Sequence, residues 1–396
     1  MPFLLLRRSR KPIRRQRARD RTGDAAQRPL GVLGADRHQL HHARRTRPRR
    51  RPHGNRQRSL RHPQRRDPSE VRFGVRDRAG APAVVRRVQR RLLPQRLLGH
   101  RRASLDRRVP PVEPPVMKAS SSAFYRCPAD GSALMLESVV SGDAIETGTL
   151  ASAAGKRYSI AHGIPYLVHP ETLSPIEQQT QAEYDRVAER IYDTAVDWQF
   201  AAFLEDEDAV REGMVDLLRV QPGQRVLEVG CGTGRDSYRI GRRLGPGGAL
   251  FMQDLSPNMV AACARNMRDR VERGEVECVL EYSVSNVVHL PFADGFFDAV
   301  FHFGGLNQFG DIPKAIAELT RVVGPGGRVL VGDEAVAPWL KGTEFEAIVT
   351  TNNPLFKADA PLSALPVSAR DVTITWVIAN SFYVIAFTKG DGPPPL

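Results

Sequence analysis

The stretch VLEVGCGTG, residues 226–234, decides the fold of this 396-residue chain. Its apolar first half predicts a short strand over residues 225–229, and a helix follows with apolar positions at Tyr238, Ile240 and Leu244. Glycine at alternate positions of the loop lets the backbone turn tightly and approach a ligand, because no side chain stands in the way. The loop leads into a helix N-terminus, whose free N–H groups attract negative charge. The stretch therefore predicts a strand–loop–helix unit with a ligand at the loop.

The next strand outward covers residues 249–253 and ends in Asp254. A carboxylate at this point accepts hydrogen bonds from both hydroxyls of a ribose, and it follows Gly230 at close to the ~20-residue spacing of nucleotide-binding units. A helix-capping or turn role is the alternative for Asp254. A dinucleotide-binding loop would need glycine where this chain has Arg235. The pattern therefore favours a nucleoside ligand that is not a dinucleotide.

Strand and helix patterns continue to alternate towards the C-terminus. Strands are predicted over residues 297–303, 328–331, 373–379 and 382–388. A helix that starts at Asp311 lies between the first two, and Asn380-Ser381 gives a hairpin signal between the last two. The proline-rich residues 351–371 predict an irregular lid or linker. These elements predict an α/β fold with a C-terminal antiparallel hairpin.

Two helical segments are predicted ahead of the glycine loop. The first has one apolar face, made of Tyr184, Val187, Ala188, Ile191, Ala195 and Trp198. The second has an apolar face made of Val210, Met214, Leu217 and Leu218, and it ends before the turn signal at residues 221–223.

The Gly-x-Gly-x-Gly spacing after Glu228 closely resembles motif I of the class I S-adenosylmethionine-dependent methyltransferases. Within that class the chain is most similar to the broad group of ubiquinone/menaquinone C-methyltransferases and arsenite methyltransferases. The run Gly234-Arg235-Asp236 is similar to the arsenite enzymes, but the chain lacks the several dedicated cysteines with which those enzymes bind arsenic. The resemblance implies a seven-stranded, doubly wound, Rossmann-like sheet over residues 175–390, with S-adenosylmethionine as the cofactor.

The resemblance also implies a set of cofactor-binding residues. The family commonly shows Asp-Ala-x-x-Leu-Pro-Phe after the third strand, and its Asp contacts the adenine amino group. This chain has Asn286 in that position, and an asparagine carbonyl can still accept one hydrogen bond. The implied cofactor-binding residues are Glu228, Gly230, Cys231, Gly232, Gly234, Asp254, Leu255, Asn286, Val287 and Phe303.

Candidate catalytic residues follow from where the methyl acceptor would lie. Methyl transfer from a sulfonium is an in-line displacement, so the protein mainly positions the reactants, and a base is needed only where the acceptor loses a proton. The candidates are His302 and Asn307 after the fourth strand, Glu334 with Asp333 after the fifth, and Tyr184 and Tyr192 on the helical segment. A buried structural histidine is the alternative for His302, and packing is the alternative for the tyrosines. The expected acceptor is a small, lipophilic or aromatic molecule.

The charge of the chain changes sign at Met117. Residues 1–116 hold 34 Lys and Arg against 8 Asp and Glu, a net charge of +26, whereas residues 117–396 carry −12. Residues 1–116 show no useful apolar periodicity, and we expect a disordered Arg-rich extension or the product of a misplaced start site. A nucleic-acid-binding arm is the alternative. No stretch approaches the ~20 apolar residues of a membrane span, and four cysteines favour a reducing, cytoplasmic location.

Residues 117–172 predict a small β-rich module that is similar to the zinc-ribbon-like domains beside some methyltransferases. Cys127 alone occupies one of the four ligand positions of that pattern, and Asp130 stands at the second. A structural zinc site needs four ligands, usually thiolate or imidazole. We therefore expect a degenerate module with no metal.

Three other functions remain open at this stage. The module favours an RNA methyltransferase, but the −12 charge of residues 117–396 and the absence of an Asn-Pro-Pro-Tyr-type motif after the fourth strand oppose a stable nucleic-acid partner. A non-catalytic, cofactor-binding scaffold is opposed by the intact glycines and Asp254. A Rossmann-type oxidoreductase is opposed by the glycine spacing and the terminal hairpin. The oligomeric state is not indicated.

Overall fold

The computed structural model describes residues 117–137, 143–188 and 191–392. The predicted Arg-rich extension, residues 1–116, lies outside the described residues. Thirteen strands and seven α-helices are described within these ranges. The strands are β1 (Met117–Lys118), β2 (Leu134–Glu137), β3 (Ala144–Ile145), β4 (Gly148–Ser152), β5 (Arg157–Ala161), β6 (Ile164–Leu167), β7 (Arg225–Val229), β8 (Ala249–Asp254), β9 (Val279–Ser285), β10 (Phe297–Phe303), β11 (Val323–Glu334), β12 (Ala369–Val377) and β13 (Phe382–Lys389).

The helices are α1 (Pro175–Val187), α2 (Tyr192–Phe203), α3 (Glu207–Leu218), α4 (Ser237–Leu244), α5 (Pro257–Glu272), α6 (Ile312–Val322) and α7 (Glu344–Asn352). Side chains at the helix starts explain several of these boundaries. Ser256 accepts from the backbone N–H of Met259 at 3.1 Å, and Asp311 accepts from that of Lys314 at 3.0 Å. Each bond satisfies an N–H group that has no partner inside its helix. The start at Asp311 was predicted from the sequence.

Seven strands form a doubly wound sheet in the order β12-β13-β11-β10-β7-β8-β9. Strands β9, β8, β7, β10 and β11 are parallel, and β13 lies antiparallel between β11 and β12. The chain runs outward from β7 to β9 on one side and then returns to β10 on the other. The strand order therefore reverses between β7 and β10, and the crevice at the carboxyl ends of these strands is where open α/β sheets bind ligands. The predicted α/β, Rossmann-like fold is confirmed.

The central strands are buried on both faces, which is why they read as continuous apolar runs. Val226, Leu227 and Val229 of β7 are each at most 2% exposed. Helices α3, α4 and α5 contribute to one core with β7, β8 and β10, and α6 contributes to the core on the other face. This packing holds the loop after β7 on a rigid support.

Four of the strands in residues 117–172 continue the same sheet, whereas β1 and β3 pair with each other in a separate two-stranded sheet. Strand β6 pairs in parallel with β9, with Tyr166 opposite Val284, and β5, β4 and β2 follow outward in antiparallel order. An aromatic cluster joins the two parts, since Tyr125 packs against Phe292 with ring centroids 5.6 Å apart. The seven predicted strands thus belong to an eleven-stranded sheet. The division between a 117–172 module and a 175–390 domain stays a prediction.

Three sequence predictions differ from the structure in detail. The apolar face from Tyr184 to Trp198 belongs to two helices, and Trp198 is 56% exposed. Residues 351–371 include the end of α7, several short turns and the start of β12. The final turn spans residues 378–381, with left-handed backbone at Ile378, Ala379 and Asn380. Within the described ranges, no helix is long and apolar enough to cross a membrane.

Candidate active site

The glycine loop after β7 adopts the backbone that its sequence requires. Gly230, Gly232 and Gly234 have φ angles of 67°, 53° and 88°, in the left-handed region that only glycine adopts without strain. The N–H of Cys231 donates to the carbonyl of Gln253 at 3.0 Å, which ties the loop to β8. The loop therefore presents bare backbone at the switch point of the sheet.

Two of these glycines leave room for a neighbouring side chain. A Cβ atom on Gly230 would lie 3.3 Å from the ring of His302, and one on Gly232 would lie 3.2 Å from the hydroxyl of Tyr192. Both distances are tighter than ordinary van der Waals contact. The loop is thus closely covered from β10 on one side and from α2 on the other.

Asp254 ends β8 beside this loop, as the sequence predicted. Its Oδ2 accepts from the N–H of Gly232 at 3.1 Å, and its Oδ1 accepts from the N–H of Ser256 at 2.9 Å. Burial raises the pKa of Asp254 to about 6, although these backbone hydrogen bonds oppose the shift. Asp254 is therefore largely ionised at neutral pH and is a strong acceptor for hydroxyl groups.

A cleft with two adjoining lobes lies over the carboxyl ends of β7 and β10. With the space open to solvent included, the first lobe measures about 640 Å³ and the second about 600 Å³. Tyr184, Tyr192, Gly230, Gly304 and Gly305 line both lobes. The first lobe is also lined by Glu177, Thr180, Val229, Gly232, Gln253, Asp254, Leu255, Asn286, Val287, His302, Gln308 and Phe309. The second is also lined by Val196, Gln199, Phe200, Arg211, Cys231, Thr233, Arg235, Asp236, Phe303, Glu334, Ile378 and Phe382.

His302, near the end of β10, has one ring nitrogen bonded and one without a partner. Its Nδ1 lies 2.8 Å from the carbonyl oxygen of Val229, which can only accept, so Nδ1 carries the proton. Nε2 is buried and has no hydrogen-bond partner among the described residues, and the side chain lines the first lobe. Burial lowers the pKa of His302 to about 4. His302 is therefore a neutral imidazole with an available acceptor nitrogen.

Asn286 and Val287 line the first lobe on the side of β9. The carbonyl of Asn286, the group expected to accept from a ligand, instead accepts from the N–H of Val288 at 3.2 Å. Its amide nitrogen donates to Oε1 of Glu177 at 2.8 Å. Both polar atoms of the Asn286 side chain thus have partners within the protein, and one of these partners is Glu177.

Tyr184 and Tyr192 close the cleft from α1 and α2. Their rings pack edge to face with centroids 6.2 Å apart, and the Tyr184 hydroxyl donates to Oε1 of Gln308 at 3.1 Å. Burial raises the pKa of both phenols above the usual range. Both stay neutral and combine packing with contact to the cleft, so the two interpretations made from the sequence are compatible.

The second lobe contains a buried ion pair beside apolar walls. Arg211 of α3 pairs with Asp236, whose other oxygen, Oδ1, is buried without a hydrogen-bond partner in the described part of the chain. Phe303 packs against Phe382 with centroids 5.7 Å apart. This lobe therefore offers opposite charges and an apolar surface to one ligand.

Arg235 follows the glycine loop directly and links helices α2 and α3 to the loop. Its guanidinium contacts Asp193 at 2.9 Å, Asp197 at 2.7 Å and Glu207 at 2.6 Å. Together with the hydrogen bond from Thr233 to Asp193 at 2.7 Å, these contacts join α2 and α3 to the loop.

The remaining predicted catalytic residues lie after β10 and at the end of β11. The Asn307 side chain donates to the backbone carbonyl of Glu334 at 2.9 Å and does not line either lobe. Glu334 lines the second lobe, and its Oε1 lies 3.4 Å from the amide nitrogen of Asn353. Burial and Glu334 raise the pKa of Asp333 well above its usual range, and Asp333 accepts from the N–H groups of Gly305 and Asn307. Asn307 and Asp333 thus hold the loop after β10.

Two predicted cofactor-binding residues stand behind the loop rather than in the cleft. Glu228 is 2% exposed and accepts from the hydroxyl of Ser237 at 2.5 Å, and burial raises its pKa well above the usual range. Gly234 faces Cys263, whose sulfur would lie 3.1 Å from a Cβ at that position. Both residues support the loop from the helix side.

Sequence reasoning missed the cleft residues that arrive from distant segments. Glu177 and Thr180 of α1, Arg211 of α3, and Gln308 and Phe309 after β10 were not singled out. The only local signal at Glu177 was a capping-box pattern with Ser174, which predicts a helix start and no ligand contact. No group of three or more potential metal ligands comes together within residues 117–137, 143–188 and 191–392.

Strand β13 lies between β11 and β12 and pairs antiparallel with β12, which is the C-terminal antiparallel hairpin expected from the sequence. Residues 227–331, from β7 to β11, match a family model described as a methyltransferase domain. Over these residues the chain carries a methyltransferase domain.

Several proteins are similar to this region. The ubiquinone/menaquinone biosynthesis C-methyltransferase of Haemophilus ducreyi is 36% identical over 117 residues, 30% of this chain and 44% of that protein. The demethylmenaquinone methyltransferase of Beutenbergia cavernae is 33% identical over 153 residues, 37% of this chain and 57% of that protein. A solved S-adenosylmethionine-dependent methyltransferase from Aquifex aeolicus is 18% identical, with a TM-score of 0.33, over 47% of this chain and 95% of that one. The chain thus spans about half the length of these two curated relatives.

Proposed function

We propose that this protein transfers a methyl group from S-adenosylmethionine to a small, lipophilic or aromatic acceptor. The observation that carries the proposal is the left-handed glycine loop beside the Asp254 carboxylate, at the point where the strand order reverses. A loop without side chains accommodates a ligand against its backbone, and the carboxylate suits a pair of ribose hydroxyls. The methyltransferase family match over residues 227–331 supports the same assignment.

The two lobes suit the two ends of this cofactor. We assign the nucleoside to the first lobe, with Asp254, Leu255 and Val287 around it. The amino-acid end carries one positive and one negative charge, and the Arg211–Asp236 pair of the second lobe offers a partner to each. The unpartnered Oδ1 of Asp236 is an acceptor suited to an ammonium group. Gly230 lines both lobes and stands where the two ends of the cofactor would meet.

The bound sulfonium would supply both the methyl group and its own leaving group. The protein then has to exclude water and orient the acceptor. Tyr184 and Tyr192 cover the cleft, and Phe303, Ile378 and Phe382 give the second lobe an apolar wall. His302 is neutral and its Nε2 is available, so it can hold the proton of an acceptor hydroxyl in place. We retain His302 as the catalytic candidate for an acceptor that carries an O–H or N–H group.

A quinone precursor is the acceptor class that we propose to test first. The two curated relatives are named as a ubiquinone/menaquinone biosynthesis C-methyltransferase and a demethylmenaquinone methyltransferase. A reduced quinone combines an aromatic ring with hydroxyl groups. The apolar wall of the second lobe suits the ring, and Nε2 of His302 suits a hydroxyl. We also propose a cytoplasmic location, because the four cysteines are free and buried.

The test is calorimetric titration of the full chain with S-adenosylmethionine and, separately, with NADH. We expect micromolar binding of S-adenosylmethionine alone, loss of at least tenfold in affinity in Asp254→Ala, and unchanged affinity in Asp143→Ala, an exposed control. Turnover is then measured with a demethylated naphthoquinol, by mass spectrometry of S-adenosylhomocysteine and the methylated ring. Absence of binding by the folded protein would reject the enzyme assignment. Binding without turnover on reduced quinones would reject that acceptor class.

A further inference from the structure

Glu177 brings a buried carboxylate into the first lobe from the first turn of α1. The side chain is part of a capping box: its Oε2 accepts from the N–H of Ser174 at 2.8 Å and from the Ser174 hydroxyl at 2.7 Å. Residue Glu177 is only 6% exposed, yet it lines the first lobe. The capping box thus fixes one carboxylate oxygen and leaves Oε1 for other contacts.

Asn286 orients that second oxygen. Its amide nitrogen donates to Glu177 Oε1 at 2.8 Å, while its carbonyl accepts from the N–H of Val288 at 3.2 Å. The reverse orientation of the amide would place two donors together at Val288 and two acceptors together at Glu177, so the orientation is determined by its neighbours. Asn286 therefore acts as a donor towards Glu177, and its carbonyl is occupied by the backbone.

Gly310 limits the space on another side of the same carboxylate. A Cβ atom on Gly310 would lie 2.7 Å from Glu177 Oε1 and 3.0 Å from the Ser174 hydroxyl oxygen. The loop after β10 thus approaches the carboxylate with bare backbone. With Ser174, Asn286 and Gly310 around it, Glu177 remains open towards the first lobe.

No lysine or arginine of the described residues forms an ion pair with Glu177 within 4 Å. Burial raises the pKa of Glu177, but hydrogen bonds from Ser174 and Asn286 outweigh it, and His289 acts in the same direction as they do. The carboxylate is therefore ionised at neutral pH and has lost most of its water. A buried, charged acceptor of this kind gains when a ligand donor completes its hydrogen bonds.

We propose that Glu177 is a specificity-determining residue that accepts an N–H hydrogen bond from the base of the nucleoside in the first lobe. This inference rests on the proposed function, which makes that base adenine and the donor its exocyclic amine. Asp254 and Glu177 both line the first lobe, so one would accept from the sugar and the other from the base. Helix α1 thereby takes part in ligand recognition.

The test compares S-adenosylhomocysteine with S-inosylhomocysteine, which has a carbonyl in place of the amine. Both are titrated calorimetrically into the full chain and into Glu177→Gln. We expect the unchanged protein to prefer S-adenosylhomocysteine by about 10- to 100-fold, the range for a charge-assisted hydrogen bond. The glutamine amide can donate to the inosine carbonyl, so the preference of Glu177→Gln falls to about threefold or less. Glu183→Gln, the same change on the same helix away from the cleft lining, keeps the full preference.

Folding is checked for each variant by circular dichroism and thermal unfolding. Because Glu177→Gln weakens the capping box, Glu177→Asp provides a second variant that keeps the charge and shortens the side chain. We expect its preference to fall as well. Retention of the full preference in either folded variant, or equal loss of both ligands, would overturn the inference. Failure of the unchanged protein to bind either ligand would instead reject the proposed function.

Discussion

At the scale of single residues, the site depends on a few polar groups whose ionisation is set by burial. Burial raises the pKa of the Asp254 and Glu177 carboxyl groups, whereas hydrogen bonds to them lower it. For Asp254 burial prevails, and for Glu177 the hydrogen bonds prevail. Burial also lowers the pKa of His302, and the hydrogen bond to the Val229 carbonyl opposes that shift without cancelling it. The first lobe thus presents the anionic acceptors Asp254 and Glu177 and the neutral acceptor nitrogen of His302 at pH 7.

The raised pKa of Asp254 gives cofactor binding a definite pH dependence. Burial, with a smaller contribution from Asp185, raises this pKa to about 6 from its ordinary 3.8. Below pH 6 the folded protein holds a proton on Asp254 that must leave before both oxygens can accept from hydroxyls. We expect the Kd for S-adenosylmethionine to be constant above pH 7 and to rise about tenfold per pH unit below 6. His302, with a pKa of about 4, does not titrate in this window.

Calorimetric titration between pH 5 and 8 checks this dependence. Asp254→Asn is the matched control, because it keeps the shape of the side chain and removes its titration. Its weaker binding is expected to vary little over the same range. A constant Kd for the unchanged protein down to pH 5 would contradict a role for the ionised Asp254.

The residues that could be predicted are those whose role is local in sequence. Gly230, Gly232 and Asp254 follow from spacing, because a turn and a strand end are set by neighbouring residues. Glu177 could not be found this way, since its partner Asn286 lies 109 residues away and is brought to it by the packing of α1. The same holds for the Arg211–Asp236 pair, which the fold alone brings together.

At the scale of elements, the strand–loop–helix unit joins the sheet to the site. Strands β7, β8 and β10 lie within one residue of their predicted limits, because their apolar runs are bounded by strong turn signals. Helix α7 was not predicted, and only its last two residues fall within the stretch 351–371 that was expected to be irregular. The final turn was predicted at Asn380-Ser381, but it is longer, with three successive left-handed residues before Ser381.

The glycine loop gives a prediction at this scale. Gly232→Ala places a Cβ atom 3.2 Å from the Tyr192 hydroxyl at a φ of 53°. A left-handed alanine costs about 1–2 kcal/mol, and displacement of Tyr192 disturbs the cleft wall. We expect the free energy of unfolding, measured in urea, to fall by about 1–2 kcal/mol. We also expect at least tenfold weaker binding of S-adenosylmethionine.

Gly213→Ala is the matched control for this substitution. Gly213 is exposed inside α3, and nothing lies within 4 Å of its added Cβ. Alanine favours a helix interior over glycine, so this variant should gain roughly 0.5–1 kcal/mol and bind normally. Normal binding by Gly232→Ala would show that the loop is not the ligand contact.

At the scale of the whole molecule, the N-terminal strands and the methyltransferase strands share one sheet. The sequence predicted a doubly wound sheet and, separately, a β-rich segment. It did not predict that β6 would pair with β9, because the apolar pattern of a strand does not specify its neighbour. Leu167 of β6 is fully buried, and its register partner is Ser285 of β9, the residue before Asn286. The two parts are therefore expected to unfold together.

Leu167→Ala tests this coupling. A buried leucine replaced by alanine costs about 2–5 kcal/mol. All three tryptophans lie at or beyond Trp198, outside the N-terminal strands. We monitor unfolding in urea by tryptophan fluorescence. We expect the free energy of unfolding measured in this way to fall by the full cost of the substitution. Met135→Ala, at a residue 61% exposed on β2, should change it by less than about 0.5 kcal/mol. An unchanged fluorescence transition in Leu167→Ala would show that the N-terminal strands unfold on their own.

Arg235 joins the glycine loop to Asp193 and Asp197 of α2 and to Glu207 of α3. For a ligand bound as we propose, we expect release to require that the guanidinium part from these carboxylates and that the helices move away, a motion of microseconds to milliseconds. Opening of the helices, rather than the chemical step, would then limit the rate of turnover. Dissolved salt weakens the exposed contacts of Arg235, so we expect it to speed the release of the product.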